Sequence, residues 1–554
     1  MNNLDLFVVF FYFIGITAYG LWISRRTRTS DGYFMGGHKL KWWTMMGQAF
    51  GTGTHAEMPV GLAGASFANG FSTIWYQWKN MLITPFYWFM APWYRRSERT
   101  TIAGMMTDRY GKAIGLFYTI YAVLFFVFTM GVMLMGAAKV ISIATGGSIS
   151  PEGVVVGMTV AFMVYSFVGG LVASAHTEFI QSFLIIVLSF MLIPAGLSQV
   201  GGLSAMREAL PPDFFLLFSD KSGLTSFTIL MLAINGIVGI TAQPHMMTMF
   251  ASGDTEYAGR VGQTYGTFVK RLVTIGWAFT GLVVAALVIK TGTVLEDPEH
   301  AFGYATRTLL GPGLTGLMIA CILAANMSTC SNFMVNLGAL FTRDIYQTYI
   351  NPDISDKRAL FIGRVSGLGL TLAGVGFALI VENVLAAFLF VETISAFIGI
   401  MILGGILWKR ANRYGAFAAV MVSYILYYIL NYYHAGKVWS FIYAWEPEPF
   451  GWAFLGGVAT LIVVSLLTPA EEESLTNAFF TKMESVATID RKEGEPIEAD
   501  KLGRGLILLD APGWFRKGRW DNFLQRYRED WWGFWLAWVF VGLLIVVAWA
   551  VLQL

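Results

Sequence analysis

The stretch Gly51-Thr52-Gly53-Thr54-His55-Ala56-Glu57-Met58-Pro59 lies in the middle of an apolar run covering residues 42–69. Almost every part of it works against a helix. Glycine and threonine have low helix propensity, and Pro59 brings no amide donor; Gly61 and Gly64 follow. A hydrophobic run of this length is long enough to cross a bilayer. Polar groups inside such a run are costly and by default point to function. An unwound stretch here exposes carbonyl oxygens to an ion. A glycine face for a neighbouring helix is the other reading, but packing alone does not account for His55 and Glu57.

The whole chain supports a bilayer setting. Of its 554 residues 56% are hydrophobic and 13% charged, against about a quarter charged in soluble domains. That deficit leaves too little charge to cover a water-soluble protein of this size, whereas lipid accepts Leu, Phe and Trp. The 60 glycines suit close helix packing in lipid. A net charge of +2 offers no basic excess for nucleic acid. Cys321 and Cys330 would stand about 13 Å apart on one helix, too far for a disulfide, and they read as buried small residues.

Apolar runs near 4–24, 42–69, 71–94, 113–142, 152–173, 177–199, 225–252, 266–289, 312–341, 361–381, 384–408, 412–434, 450–468 and 532–552 predict about 14 transmembrane helices in an all-α polytopic membrane protein. The first run has no preceding Lys or Arg, and Arg25, Arg26 and Arg28 follow it, which reads as a retained span with its N-terminus outside. With that orientation, 30 of the 37 Lys and Arg residues fall in cytoplasmic segments, as the positive-inside rule requires. Both termini are therefore expected outside. The expected organisation is a first span and cytoplasmic loop (1–41), a five-helix block (42–199), an outer loop (200–224), a second five-helix block (225–408), two additional spans (409–469), a charged cytoplasmic linker (470–531) and a last span (532–554). The linker holds 23 charged residues in 62 positions. Its end, from Trp514 to Trp532, mixes aromatics with Arg and Lys as an interfacial helix does, although a solvated linker fits as well.

Two further clusters interrupt apolar runs. Asn235-Gly236, Gly239 and Gln243-Pro244-His245 lie on the seventh run, where proline frees a carbonyl and the polar side chains point to a cavity. Ala324-Ala325-Asn326-Met327-Ser328-Thr329-Cys330-Ser331 lies on the ninth. Its adjacent hydroxyls suit a hard cation such as Na+, or else each bonds the carbonyl one turn back on its own helix. The breaks on the second and seventh runs open two blocks of five spans, and an odd number reverses the second block relative to the first. Corresponding interrupted helices in oppositely oriented halves point to a midplane transport site.

These residues resemble the sodium:solute symporter family. The resemblance rests on the Ala324–Ser331 stretch followed by Thr342-Arg343-Asp344-Ile345-Tyr346, on Asp31-Gly32-Tyr33-Phe34 with Gly36-Gly37, on Gly61-Leu62-Ala63-Gly64-Ala65 with Gly70, on Arg109-Tyr110-Gly111, on Gly169-Gly170 with Thr177-Glu178 and Gln181, and on Gln243-Pro244-His245, which recurs in the proline and pantothenate branches. It spans about residues 1–470. It implies a leucine-transporter-type fold, a 5+5 inverted repeat with flanking helices. It also implies a Na+ site formed by the carbonyls of Gly51, Thr54 and Ala325 with the hydroxyls of Ser328 and Thr329. Glu178 stands where the family usually has Asp, which suggests an ion relay toward the cytoplasmic exit. Gly236 and Ile240 replace the aromatics of the proline branch, and Met58 follows Glu57 where the sugar branch has Gln; the solute stays open.

The expectation is a non-enzymatic, Na+-coupled importer of a small polar organic solute. It would sit in the cell membrane as a multi-pass protein, with Na+ as coupling ion, lipid as surroundings, no organic cofactor and no nucleic-acid partner. Glu57, Gln77, Asn235, Gln243, Pro244 and His245 are the candidate solute contacts. A proton-coupled carrier is the nearest rival, since His55, Glu57 or Glu178 can titrate. A membrane enzyme would need convergent catalytic groups, and the six histidines are scattered; a membrane sensor would need an output domain.

Overall fold

The computed structural model of the chain describes residues 2–24, 40–51, 55–166, 170–219, 222–435, 445–487, 490, 505–511 and 522–553. Among them the fold is helical, with one isolated parallel bridge between Leu40 and Gly253. In order, the helices are α1 (Asn3–Ser24), α2 (Trp42–Gly51), α3 (Glu57–Asn69), α4 (Trp75–Ile83), α5 (Tyr87–Ser97), α6 (Ile102–Tyr110), α7 (Lys112–Ala144), α8 (Pro151–Ser166), α9 (Gly170–Val200), α10 (Leu203–Ala209) and α11 (Ser226–Ile240). They continue with α12 (Met246–Ala251), α13 (Glu256–Thr291), α14 (Ala301–Leu309), α15 (Leu314–Ala339), α16 (Asp356–Ala378), α17 (Val384–Leu407), α18 (Arg413–Ala435), α19 (Pro447–Leu467), α20 (Glu473–Glu484), α21 (Phe523–Arg526) and α22 (Arg528–Gln553).

Among the described residues nine helices are long and apolar enough to cross a membrane. The other five apolar runs hold α1, α8 and three interrupted pairs: α2 with α3, α4 with α5, and α11 with α12. The apolar segments of α7, α13, α15 and α17 are mostly buried, whereas those of α16, α18, α19 and α22 are mostly exposed. Large apolar side chains such as Phe361 on α16 and Trp549 on α22 face outward, as lipid-facing positions must. Cys321 and Cys330 are free and buried.

The eighth span starts earlier than expected. Helix α13 begins at Glu256 rather than near 266, so Lys270 and Arg271 lie about 21 Å along it and are buried.

Close helix contacts depend on missing side chains. A Cβ at Gly266 of α13 would lie 2.7 Å from the Met46 Cα of α2, and one at Gly136 of α7 would lie 2.8 Å from the Glu57 Cα of α3. Both distances are shorter than real contacts, so these glycines let α13 and α7 grip the two halves of the first interrupted span. Leu40, just before α2, accepts from the Asp254 amide at 2.8 Å, and Lys41 pairs with Asp254 at 2.6 Å. The first interrupted span therefore begins where the second ends, and the two run in opposite senses.

The charged segment after α19 is partly docked. On α20, Phe479, Phe480 and Met483 are buried, and the Arg109 guanidinium lies 5.5 Å from the Phe480 ring centroid. Arg95 holds Asp490 through two hydrogen bonds of 2.8 and 3.0 Å. Arg96 and Arg260 share Glu256, and Arg260 also pairs with the buried Asp530 at the start of α22. Trp514 lies outside the described residues. At the far end of α7, Lys139 contacts Asp297 at 2.7 Å and Glu299 at 2.6 Å, while Glu299 accepts the Val384 and Leu385 amides that open α17. Burial pushes the Asp297 carboxyl up, but the Lys139 hydrogen bond and the Glu299 amide outweigh it, so this carboxyl titrates below its ordinary range.

Candidate functional site

Helix α3 begins at Glu57 after a bend at His55 and a turn at Ala56, so the first interrupted span leaves the helix within the stretch expected to break. Thr54 lies outside the described residues. At the start of α3 the His55 Nδ1 lies 2.6 Å from Glu57 Oε1, and both side chains are buried. His55 Nε2 and Glu57 Oε2 have no hydrogen-bond partner among the described residues. They are free to meet something that enters.

The second break falls at Gln243-Pro244, between α11 and α12. It frees carbonyl groups that cannot stay bare at membrane depth. Tyr94 donates to the Thr241 carbonyl at 2.7 Å and Tyr118 to the Ala242 carbonyl at 2.6 Å. The break is thus held open by two tyrosines rather than by regular helix bonds. His245 stacks at 5.8 Å on the Phe125 ring, and its Nδ1 is unpartnered among the described residues.

Between the two breaks lies a cavity of about 120 Å3. His55 and Glu57 line it from one interrupted helix and Gln243 and His245 from the other. Three further charged residues complete it: Lys270 and Arg271 from α13, and Glu392 from α17. Glu392 pairs with the fully buried Lys79 of α4. Composition and hydropathy did not single out Lys270, Arg271 or Glu392. Their signal is a charged residue within about one helix length of an apolar run, which becomes meaningful only once their neighbours are known.

The other candidates fall elsewhere. Asn235 donates to Thr393 Oγ1 at 3.1 Å, and Trp445 Nε1 donates to the same hydroxyl at 2.9 Å. Gln77 is buried on α4 with its Oε1 unpartnered among the described residues. Pro244 lines a separate small void with Thr101 and Arg343. None of these three lines the cavity between the breaks. Glu178 lies on α9, and its side chain is outside the described residues.

Helix α15 runs through the ninth-run cluster without a break. The fully buried Asn326 accepts from the Ala56 amide at 3.4 Å and donates to the Met133 carbonyl at 2.9 Å. One side chain therefore ties α15 to the start of α3 and to α7. Thr329 donates to the Ala325 carbonyl at 3.2 Å, the bond one turn back on its own helix. A hydroxyl that donates its proton keeps its oxygen lone pairs, so both roles fit one geometry.

Residues 33–423 match the sodium:solute symporter family. The high-affinity proline transporter PutP of Bacillus subtilis (strain 168) is 27% identical over 486 residues, which cover 83% of this chain and 97% of PutP. The sodium/myo-inositol cotransporter 2 of Oryctolagus cuniculus is 26% identical over 470 residues, covering 77% of this chain and 69% of that protein. A solved Na+-coupled sialic acid symporter, in a substrate-bound outward-open state, aligns with a TM-score of 0.70 at 18% identity over 85% of this chain and 99% of its own. At that identity the likeness shows a shared fold.

Proposed function

Because the chain belongs to the sodium:solute symporter family, and so is a multi-pass transporter of the cell membrane rather than an enzyme, we propose that it imports a small polar organic solute together with Na+ by alternating access. One observation carries this reading: a single buried cavity is lined by both interrupted helices, through Glu57 on one and Gln243 and His245 on the other. Discontinuous helices from two halves meeting at one polar cavity are the arrangement from which alternating access operates. The opposite senses of the two interrupted spans, tied at Leu40 and Asp254, support a 5+5 inverted repeat, and fourteen spans with both termini outside complete the topology.

The proposed Na+ ligands are the carbonyls of Gly51, Thr54 and Ala325 and the hydroxyls of Ser328 and Thr329. The Ala56–Asn326 hydrogen bond supports this, since it joins the first break to α15 one residue from Ala325. Na+ bound there would tether α2 and α3 to α15, complete the solute cavity and raise solute affinity; reciprocal coupling of this kind is typically about 1–3 kcal/mol. Glu178 would relay the ion toward the cytoplasm. The membrane potential adds about 2.3 kcal/mol per charge per 100 mV to inward Na+ movement.

The buried His55–Glu57 pair is the one observation that favours proton coupling instead. Uptake into proteoliposomes separates the two readings. A panel of sugars, proline, myo-inositol, carboxylates and vitamins is offered with either a Na+ or a proton gradient imposed. Accumulation driven by Na+ is expected, and accumulation driven by protons but indifferent to Na+ overturns the reading.

A further inference from the structure

The charges around the cavity do not balance. Glu392 is matched by Lys79, with Asn80 Nδ2 beside its second oxygen at 3.5 Å. Glu57 faces the His55 imidazole. Lys270 and Arg271, consecutive on α13, line the same cavity with relative exposures of 7% and 3%. Neither forms an ion pair with a carboxylate among the described residues. The Arg271 Nε and Nη1 are buried and have no hydrogen-bond partner among the described residues. Apart from the Lys79–Glu392 pair, the cavity sets two basic side chains, Lys270 and Arg271, against the single carboxylate of Glu57.

An unpaired cation held at membrane depth is expensive, and a guanidinium and an ammonium side by side suit an oxyanion. We propose that the transported solute is a small monocarboxylate whose carboxylate is held by Lys270 and Arg271. This rests on reading the cavity as the solute site. One negative charge neutralises the excess, whereas a second would face Glu57 unpaired. The volume of about 120 Å3 sets the size, because a cavity of about 150 Å3 accepts benzene. A neutral polyol would leave both cations unsatisfied.

The full-length protein in proteoliposomes under an inward Na+ gradient tests this with acetate, lactate, pyruvate and butyrate as probes, against lactamide, succinate, proline and myo-inositol. At least one monocarboxylate is expected to accumulate, with lactamide, succinate and the neutral solutes at least tenfold poorer. Lys270→Gln and Arg271→Gln should each raise the KM for that carboxylate tenfold or more with a smaller change in kcat, and Arg271→Lys should restore part of the loss. The proposal fails if none of the four carboxylates enters, if lactamide matches lactate, or if both Gln variants leave the KM unchanged. The lactate–lactamide comparison needs no variant and keeps the test decisive should a variant fail to fold. Failure of Na+ coupling is read separately: carboxylate accumulation that persists when choline replaces Na+ keeps the anion site and removes symport with Na+.

Discussion

In the proposed Na+ site, Thr329 serves a helix and an ion at once. Its hydroxyl hydrogen points to the Ala325 carbonyl, so the helix gains a bond while the oxygen stays available. Replacing Ser328 and Thr329 together by Ala should raise the Na+ concentration for half-maximal uptake about tenfold, with solute uptake at saturating Na+ partly retained; tenfold corresponds to about 1.4 kcal/mol. A Na+ titration of uptake checks this, and an unchanged midpoint removes the pair from the ion's shell. Such residues become candidates because hydroxyls and amides stand out in an apolar run. Asn235 stood out equally, yet it bonds Thr393, 158 positions away, and no local pattern distinguishes a cavity-facing amide from one satisfied by a distant partner. Lys270 and Arg271 were missed for the opposite reason. Their charge placed them at a span boundary, and only the fold shows that the helix continues around them.

At the scale of the element, the two breaks were legible and their upkeep was not. Gly51, Thr52 and Gly53 weaken the second span and Pro244 the seventh by their own chemistry. The groups that tolerate those breaks come from distant helices: Gly136 makes room for Glu57, and Tyr94 and Tyr118 satisfy the Thr241 and Ala242 carbonyls. Tyr118→Phe leaves a buried carbonyl without its partner and should lower stability by about 1–3 kcal/mol, read as a lower unfolding temperature in detergent. Gly136→Ala puts a methyl group 2.8 Å from the Glu57 Cα. Overpacking of this kind costs about 1–3 kcal/mol, and its displacement falls on the start of α3. Uptake should therefore drop further than the amount of folded protein, measured by size-exclusion chromatography. Equal losses in both would show that the contact is merely structural.

For the whole molecule, charge distribution gave the membrane class and most of the span positions, because a bilayer penalises charge wherever it is unpaired. Pairing hides charge from that logic. Arg260 and Asp530 are buried together although 270 positions separate them, which anchors α22 to α13 and turns part of the charged segment into packed structure. Asp530→Ala leaves the buried Arg260 with only Glu256, which Arg96 shares, and should lower stability by about 3 kcal/mol, whereas Arg260→Met with Asp530→Leu should cost less. Thermal unfolding of the detergent-solubilised protein compares the two, and an equal loss in both would mean that the pair does not anchor the helix.

The central claim is that one cavity couples Na+ to a solute, and solute-dependent entry of 22Na+ into proteoliposomes tests it most directly. The account predicts that the transported solute accelerates 22Na+ influx, and that the Ser328→Ala, Thr329→Ala double variant abolishes this acceleration at low Na+ and recovers it at high Na+. A 22Na+ influx indifferent to a solute that the same vesicles accumulate would contradict it.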